Sequence, residues 1–222
     1  MSIRFHDRRA AGKQLARALA AYANEPNTLV LALPRGGVAV AYEVAQVLQL
    51  PLDICLVRKL GLPGHPELAM GAIASGEVRV LNDDLITALK ISETLIEQVT
   101  TLELKELNRR DRAYRGHHRS PDIAGCRVIL IDDGIATGAT MRAAIAVLKS
   151  QQPEEIIVAV PVAPIFICQA LNELVDRVIC LSTPRPFHAI GLWYESFPQL
   201  TDEQVKRLLK TTTVAPVEKV SS

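Results

Sequence analysis

The chain is poor in aromatic residues, balanced in charge and sparing with cysteine, and each shortage removes a class of function. Aromatics are 4% of its 222 residues, too few for a surface on which nucleic-acid bases stack. Its 25 Lys and Arg against 24 Asp and Glu leave a net charge of +1. That excludes a basic nucleic-acid coat or an acidic tail as the main theme. The four cysteines, Cys55, Cys126, Cys168 and Cys180, form no C-x-x-C pair, so zinc and thioredoxin-like readings fail on spacing. They read instead as small buried thiols in a reducing compartment, since a chain of this size needs no disulfide framework. There is no internal repeat and no long low-complexity segment. The first residues are charged and lack an apolar h-region, so no secretory leader is expected. The longest apolar stretch, residues 156–168, is too short to cross a bilayer and contains Pro161 and Pro164. The expectation is a soluble cytoplasmic protein without membrane contact.

What the sequence does have is alternation of two hydrophobic periods. Residues 6–23 have helical spacing, with Leu15, Leu19 and Tyr22 on one side. Residues 28–33 (TLVLAL) form a continuous apolar run, as in a buried parallel strand. Residues 38–48 turn helical, with Val38, Ala41, Tyr42, Ala45 and Leu48 on one face. A strand is expected at 52–57 and a short hairpin at 70–75 and 78–81, joined by Gly76 and Glu77. Residues 92–115 read as a long helix with Ile91, Leu95, Val99, Leu102 and Leu107 inward. Strands at 127–131, 156–160 and 178–181 alternate with helices at 141–149 and 164–174. A last helix at 201–209 is opened by Thr201 as N-cap, with Asp202 and Glu203 in its first turn. Residues 211–222 read as a disordered tail. The pattern predicts one α/β domain over 1–210, a doubly wound, mainly parallel sheet with a helical insertion over 83–115. Such sheets bind ligands where strands give way to helices. The turns to inspect are therefore 33–38, 57–70 and 131–141.

Residues 128–140 read VILIDDGIATGAT. An apolar strand runs into two acids, then a loop of small residues, then an amphipathic helix. Gly134 and Gly138 permit close backbone approach. The free N–H groups of 136–140, with the hydroxyls of Thr137 and Thr140, would surround a phosphate at the positive end of the helix. Asp132 and Asp133 are acceptors for hydroxyls or for water on Mg²⁺. Consecutive strand residues face opposite ways, so the two acids converge only if the strand has already ended. A hairpin at Asp-Gly is the plain alternative, but the helical period of GATMRAAIAVLK speaks against it. Neither a Walker A loop nor G-x-G-x-x-G occurs.

VILIDDGIATGAT resembles the phosphoribosyl-pyrophosphate (PRPP) signature of type I phosphoribosyltransferases. The resemblance implies that Asp132 and Asp133 contact the ribose hydroxyls. It likewise puts Ala136, Thr137, Gly138, Ala139 and Thr140 around the 5-phosphate. Residues 31–38 (LALPRGGV) supply Arg35 and the amides of Gly36 and Gly37 just before a helix, a second anion cradle. This segment is similar to the family's pyrophosphate loop, which implies an unusual peptide there, cis being one form. Residues 57–67 (VRKLGLPGHPE) put Arg58 and Lys59 at a strand end, followed by Gly and Pro in a segment expected to be irregular. By resemblance it is a flexible lid with a basic root. His65 and Glu67 are further candidates there, and solvent exposure is the plainer reading of His65.

The implied reaction is attack of a ring or amine nitrogen on the anomeric carbon of PRPP, with pyrophosphate leaving together with Mg²⁺ through an oxocarbenium-like state. Arg35, Lys59 and the Gly36 and Gly37 amides would stabilise the leaving charge while Asp132 and Asp133 fix the ribose. Enzymes of the family that act on 6-oxopurines carry an acid where Ala136 stands, so such an acceptor is not expected. The acceptor is otherwise unassigned. A hood built from residues 1–24 or 183–200 would recognise it, with Phe187, Trp193, Tyr194 or Phe197 stacking on it or simply capping the sheet. Two rivals remain. One is a regulator that binds PRPP or a nucleotide without turnover. Such a regulator would touch nucleic acid through Arg109, Arg110, Arg112, Arg115, Arg119, His117 and His118, against which stands a solvated helix end with Glu106 paired to Arg110. The other is an interaction or scaffold protein with a dead site, against which the intact acids and T-G-x-T loop speak. Nucleic acid is not the expected partner. The oligomeric state is open, a homodimer included.

Overall fold

The computed structural model describes residues 4–211 apart from Glu77, His117 and Arg119, and no side chain at Pro66 or Glu67. The expected tail, beyond Thr211, and the Glu67 candidate side chain lie outside the described residues. Five strands form one all-parallel sheet: β1 (Thr28–Ala32), β2 (Leu52–Ile54), β6 (Arg127–Ile131), β7 (Glu155–Val162) and β8 (Arg177–Ser182), in the order β2-β1-β6-β7-β8. Helices α1 (Arg8–Ala18) and α2 (Gly36–Leu48) cover one face, and α5 (Ala139–Lys149) and α6 (Ile165–Asn172) the other.

The continuous apolar runs follow from this double cover. Val30, Ala32, Ile129 and Ile131 pack with Leu15, Val44 and Leu48 on one side. Their neighbours Leu29, Leu31, Val128 and Leu130 pack with Met141, Ile145 and Leu148 on the other. Alternate residues serve alternate cores, so both strands are apolar from their second residue onward, Leu29 to Ala32 and Val128 to Ile131. Cys55 and Cys126 are buried while Cys168 and Cys180 are half-buried, and all four are free thiols.

Two expectations are corrected. The strand expected over 52–57 breaks after Ile54, and the chain leaves the parallel sheet at Val57. It then enters a second, antiparallel sheet of β3 (Val57–Leu62), β4 (His65–Ala74) and β5 (Val78–Leu81), in the order β3-β4-β5. The expected irregular lid at 57–67 is therefore a regular hairpin. Pro63 and Gly64 make its turn, Gly64 taking φ +84°, and register shifts flank Gly61. The glycines and prolines that signalled an irregular segment are the residues a tight turn and a bulge require.

The insertion is α3 (Asp83–Ala88) followed by α4 (Glu93–Arg115). Helix α4 buries Ile96, Thr100, Leu107 and Tyr114 against the hairpin sheet and the main core. Leu102, expected inward, is 65% exposed. Ile91, Val99 and Leu107 pack into the hairpin cluster as expected. Helix α7 (Asp202–Lys210) starts at a capping box between Thr201 and Gln204, as its sequence required.

One buried guanidinium ties the two sheets together. Arg115 donates to both carboxylate oxygens of Asp53 in the β2 strand, at 3.0 and 3.1 Å, to the Ile54 carbonyl and to Asp111. The Ser75 hydroxyl after β4 also donates to Asp111, at 3.1 Å. Burial pushes the Asp53 carboxyl up, and Arg115 opposes it. Arg115→Ala strands Asp53 without its cation, so a loss of about 3–5 kcal/mol is expected in urea denaturation. A loss below about 1 kcal/mol would show that the sheets hold together without this pair.

Candidate functional site

In chain order the main-sheet strands lie two-one-three-four-five, so the direction of winding reverses between β1 and β6. The loop after β1 leads to α2 on one face and the loop after β6 leads to α5 on the other. A crevice opens between such loops at the carboxyl ends of the strands. Both loops singled out from the sequence lie there.

The first loop extends the sheet by one bond, Leu33 N–H to the Ile131 carbonyl at 2.9 Å. The Pro34–Arg35 peptide is cis. Helix α2 then begins at Gly36 with no side chain capping it. A Cβ on Gly37 would lie 2.8 Å from the Ile131 carbonyl oxygen and 2.9 Å from the Cα of Asp132. One on Gly36 would lie 1.8 Å from Oδ2 of Asp133. The glycines answer to contact with the second loop.

Strand β6 ends at Ile131, so the two acids lie beyond the strand, the condition under which they can converge. Oδ1 of Asp132 accepts the Asp133 amide at 2.8 Å. Asp133 is 8% exposed, and its Oδ2 accepts from Nε of Arg8 at 2.7 Å. Arg8 also donates to the Pro198 carbonyl at 2.7 Å and stacks 3.7 Å above the Phe197 ring. The Tyr194 hydroxyl donates to the Asp133 carbonyl at 2.6 Å. Asp132, partly exposed, makes no salt bridge among the described residues. Burial first, and then the charge of Asp133, push its carboxyl well above the usual range. Asp133 is also raised by burial, with Arg8 opposing the shift.

Beyond the acids, Gly134 lies under Ile190, whose Cγ2 would be 2.6 Å from a Cβ there. Ala136, Thr137, Ala139 and Thr140 are exposed. Gly138, at φ +79°, leads into α5 without a side-chain cap, and Thr137 accepts the Ala139 amide only at 3.5 Å. Asp7, Asn82, Ser92 and Thr201 cap α1, α3, α4 and α7. The two helices that start in the crevice have no such cap, nor does α6, which starts behind Pro164. Their first N–H groups are open to an anion.

The basic candidates divide. Neighbouring residues of a strand point to opposite faces, and Arg58 and Lys59 do so. Arg58 bonds Glu103 of α4 at 2.5 Å. Lys59 lines a cleft of about 610 Å³ with Ala139, Arg142, Asp83 and Asp84. Arg35 lies 3.8 Å from Asp202 at the start of α7. His65 is exposed at the hairpin turn.

Phe187, Trp193, Tyr194 and Phe197 pack with Phe5 and Val162 in one cluster. Of the two readings the sequence allowed, the cap on the sheet edge describes them. The basic stretch on α4 is no continuous cationic face: Arg109 and Arg110 both bond Glu106, each at 2.7 Å, and Arg115 is buried. His117 and Arg119 lie outside the described residues. Arg8 is a site residue that sequence reasoning missed, and Tyr194, expected to stack or to cap the sheet, also bonds the acid loop. Nothing local distinguishes Arg8 from Arg9, which turns to Glu43 instead, at 2.8 Å.

Gly37→Ala must displace backbone at Ile131 and Asp132. We expect a loss of about 1–3 kcal/mol in thermal or urea melts together with weakened anion binding at the crevice. Gly125→Ala, at φ +69° with nothing within 4 Å of the new carbon, should cost about 1 kcal/mol and leave binding intact. Equal effects on binding from both variants would contradict the close-contact role of Gly37.

Comparison with known proteins places this geometry. Residues 4–166 match the model of the phosphoribosyl transferase domain. A Mycobacterium tuberculosis protein, provisionally named a phosphoribosyl transferase, is 45% identical over 206 residues, covering 92% of this chain and 46% of that protein. The chain thus spans about half the length of that curated relative. A protein of known structure from Thermus thermophilus is 41% identical, with a TM-score of 0.86 over 95% of this chain and 99% of that one. A protein of Aquifex aeolicus shares the fold at 12% identity, with a TM-score of 0.51 over 93% of this chain and 87% of that one. By its sequence and by the two loops that meet at its switch point, the chain belongs to the phosphoribosyl transferase domain family.

Proposed function

We propose that this domain, over residues 1–210, binds PRPP in the β1/β6 crevice and transfers its phosphoribosyl group to a nitrogen acceptor other than a 6-oxopurine, releasing pyrophosphate. The observation that carries this reading is the meeting of two uncapped helix starts with an acidic pair, packed so closely that neither Gly36 nor Gly37 has room for a Cβ. The 5-phosphate takes the amides of 136–140 and the hydroxyls of Thr137 and Thr140. Asp132 accepts from the ribose hydroxyls. Asp133, held by Arg8, fixes the turn and the local negative field that favours positive charge on the ribose. Arg35 and the Gly36 and Gly37 amides, with Arg58 and Lys59 on either side, face the diphosphate.

Among the described residues no group of three or more His, Cys, Asp or Glu side chains is placed to hold a metal ion. The fit is instead to magnesium arriving as part of the substrate, on its phosphate oxygens, with Asp132 taking one of its waters. Magnesium would neutralise charge on the departing pyrophosphate. The protein's own part is to bind, orient and exclude water. No helix among the described residues is long and apolar enough to cross a membrane. A cytoplasmic location follows the metabolite, and a homodimer is compatible with the reading.

The test is Mg²⁺-dependent pyrophosphate release from PRPP across a panel of bases and amines. Release with at least one acceptor is expected. Binding without release would instead favour a PRPP- or nucleotide-sensing regulator, a reading that the Arg8–Asp133 pair supports because it leaves one free acid for the diol. No PRPP binding would overturn both.

Asp132→Asn separates function from stability. Its raised carboxyl means that the folded state keeps a proton the unfolded state releases, from the ordinary value of 3.8 upward. Stability therefore declines as pH rises through that interval, and the amide removes the decline. The variant should melt about 2–4 °C higher than the parent at neutral pH, with the gap closing toward pH about 4. PRPP affinity should fall about tenfold or more through loss of the ribose contact. A lower melting temperature, or unchanged affinity, would contradict the assignment of Asp132.

A further inference from the structure

The inserted helix α4 reaches the crevice as well as covering the hairpin sheet. Arg110 and Leu107 of α4 line a cavity of about 30 Å³ together with Pro34, Val57, Arg58 and Thr140. That is the volume of one water, so the cavity is no ligand pocket. It marks the point where the loop after β1, the root of β3, the first turn of α5 and the insertion converge.

Arg110 is on the inner side of its helix. Its side chain is 37% exposed, against 58% for its neighbour Arg109. Nε of Arg110 bonds Oε1 of Glu106 at 2.7 Å, while Arg109 occupies both oxygens of the same carboxylate, at 2.7 and 2.9 Å. Two guanidiniums share one carboxylate, so the trio carries net positive charge. One turn further on, the Tyr114 hydroxyl donates to Asp202 at 2.7 Å, and Asp202 is the carboxylate nearest Arg35. Arg110 and Arg35 are the two cations whose fields act on that phenol. Three guanidiniums from three elements thus ring the start of the crevice. Arg35 rests near Asp202 at 3.8 Å, Arg58 on Glu103 at 2.5 Å and Arg110 on Glu106 at 2.7 Å. Each rests on a carboxylate that a polyanion can replace, and guanidinium forks match phosphate oxygens.

We infer that Arg110, brought in by the insertion, is a binding residue for the magnesium-complexed diphosphate end of the ligand, completing with Arg35 and Arg58 a three-arginine rim. The inference rests on the proposed reading of the crevice as a PRPP site. Arg110 holds the diphosphate and the departing pyrophosphate, while the 5-phosphate rests on the amides of 136–140; Thr140, which shares the small cavity with Arg110, meets it through its own amide and hydroxyl.

Calorimetric titration of the full chain tests this with two probes, magnesium pyrophosphate and ribose 5-phosphate. Arg110→Ala should weaken pyrophosphate binding by about tenfold or more and leave ribose 5-phosphate within about twofold of the parent. Arg110→Lys should recover part of the loss, since it keeps the charge and loses the fork. Arg109→Ala, on the same carboxylate but facing outward, should stay within about twofold for both probes. Melting temperature and circular dichroism check that each variant is folded, and the unchanged ribose 5-phosphate affinity is a second check on the site. Pyrophosphate affinity unchanged in Arg110→Ala, or lowered equally by Arg109→Ala, would overturn the inference while PRPP binding by the parent kept the broader reading. A parent that binds neither PRPP nor pyrophosphate would overturn both.

Discussion

The backbone of Gly36 and Gly37 rests against Asp132 and Asp133 with no room for a side chain, so that a Cβ on Gly36 would lie 1.8 Å from a carboxylate oxygen. This contact exists because parallel strands β1 and β6 are neighbours in register, from Thr28 opposite Arg127 to Ala32 opposite Ile131. Their chains therefore leave the sheet side by side. The helices that follow diverge to opposite faces, and each presents an uncapped first turn to the same space. The sheet order, the two glycines and the two acids are one arrangement. Altering any of them changes where the other loop can lie.

The electrostatics follow from the same crowding. Two adjacent carboxylates with restricted access to water are costly to ionise together. Arg8 meets that cost for Asp133 with a bond of 2.7 Å, and the aromatic hood fixes Arg8 through Phe197 and the Pro198 carbonyl. Asp132 makes no salt bridge among the described residues and keeps a raised carboxyl, with Arg8 acting on it only through space. The hood thus acts on the crevice by bracing one acid, with Tyr194 bonding the same residue's backbone.

Much of this was legible before any coordinates. Runs of apolar residues announced buried parallel strands, and the acid pair followed by small residues and helical period announced the second loop. Thr201 announced its helix as well, because capping depends on nearby residues alone. The hairpin at 57–74 was misread because Gly and Pro signal both irregular loops and tight turns, and only the partner strand tells them apart. Leu102 was misplaced because it stands five residues before Leu107, a step of about 140° round the helix that takes it off the buried face. The ties Arg8–Asp133 and Arg115–Asp53 join residues 125 and 62 positions apart. Such pairs leave no local signal, since an arginine looks the same to its neighbours whether it ends buried or exposed.

The structure also gives the insertion two tasks. Its C-terminal arginine, Arg115, joins the hairpin sheet to the parallel sheet, and its inner face puts Leu107 and Arg110 at the crevice. The measurement that bears most directly on the whole is a crystal structure of the chain with magnesium and a PRPP analogue. It should show the 5-phosphate on the amides of 136–140, Asp132 on the ribose hydroxyls, and Asp133 still bonded to Arg8. A ligand bound away from the β1/β6 switch point, or one that leaves Asp132 without contact, would contradict it.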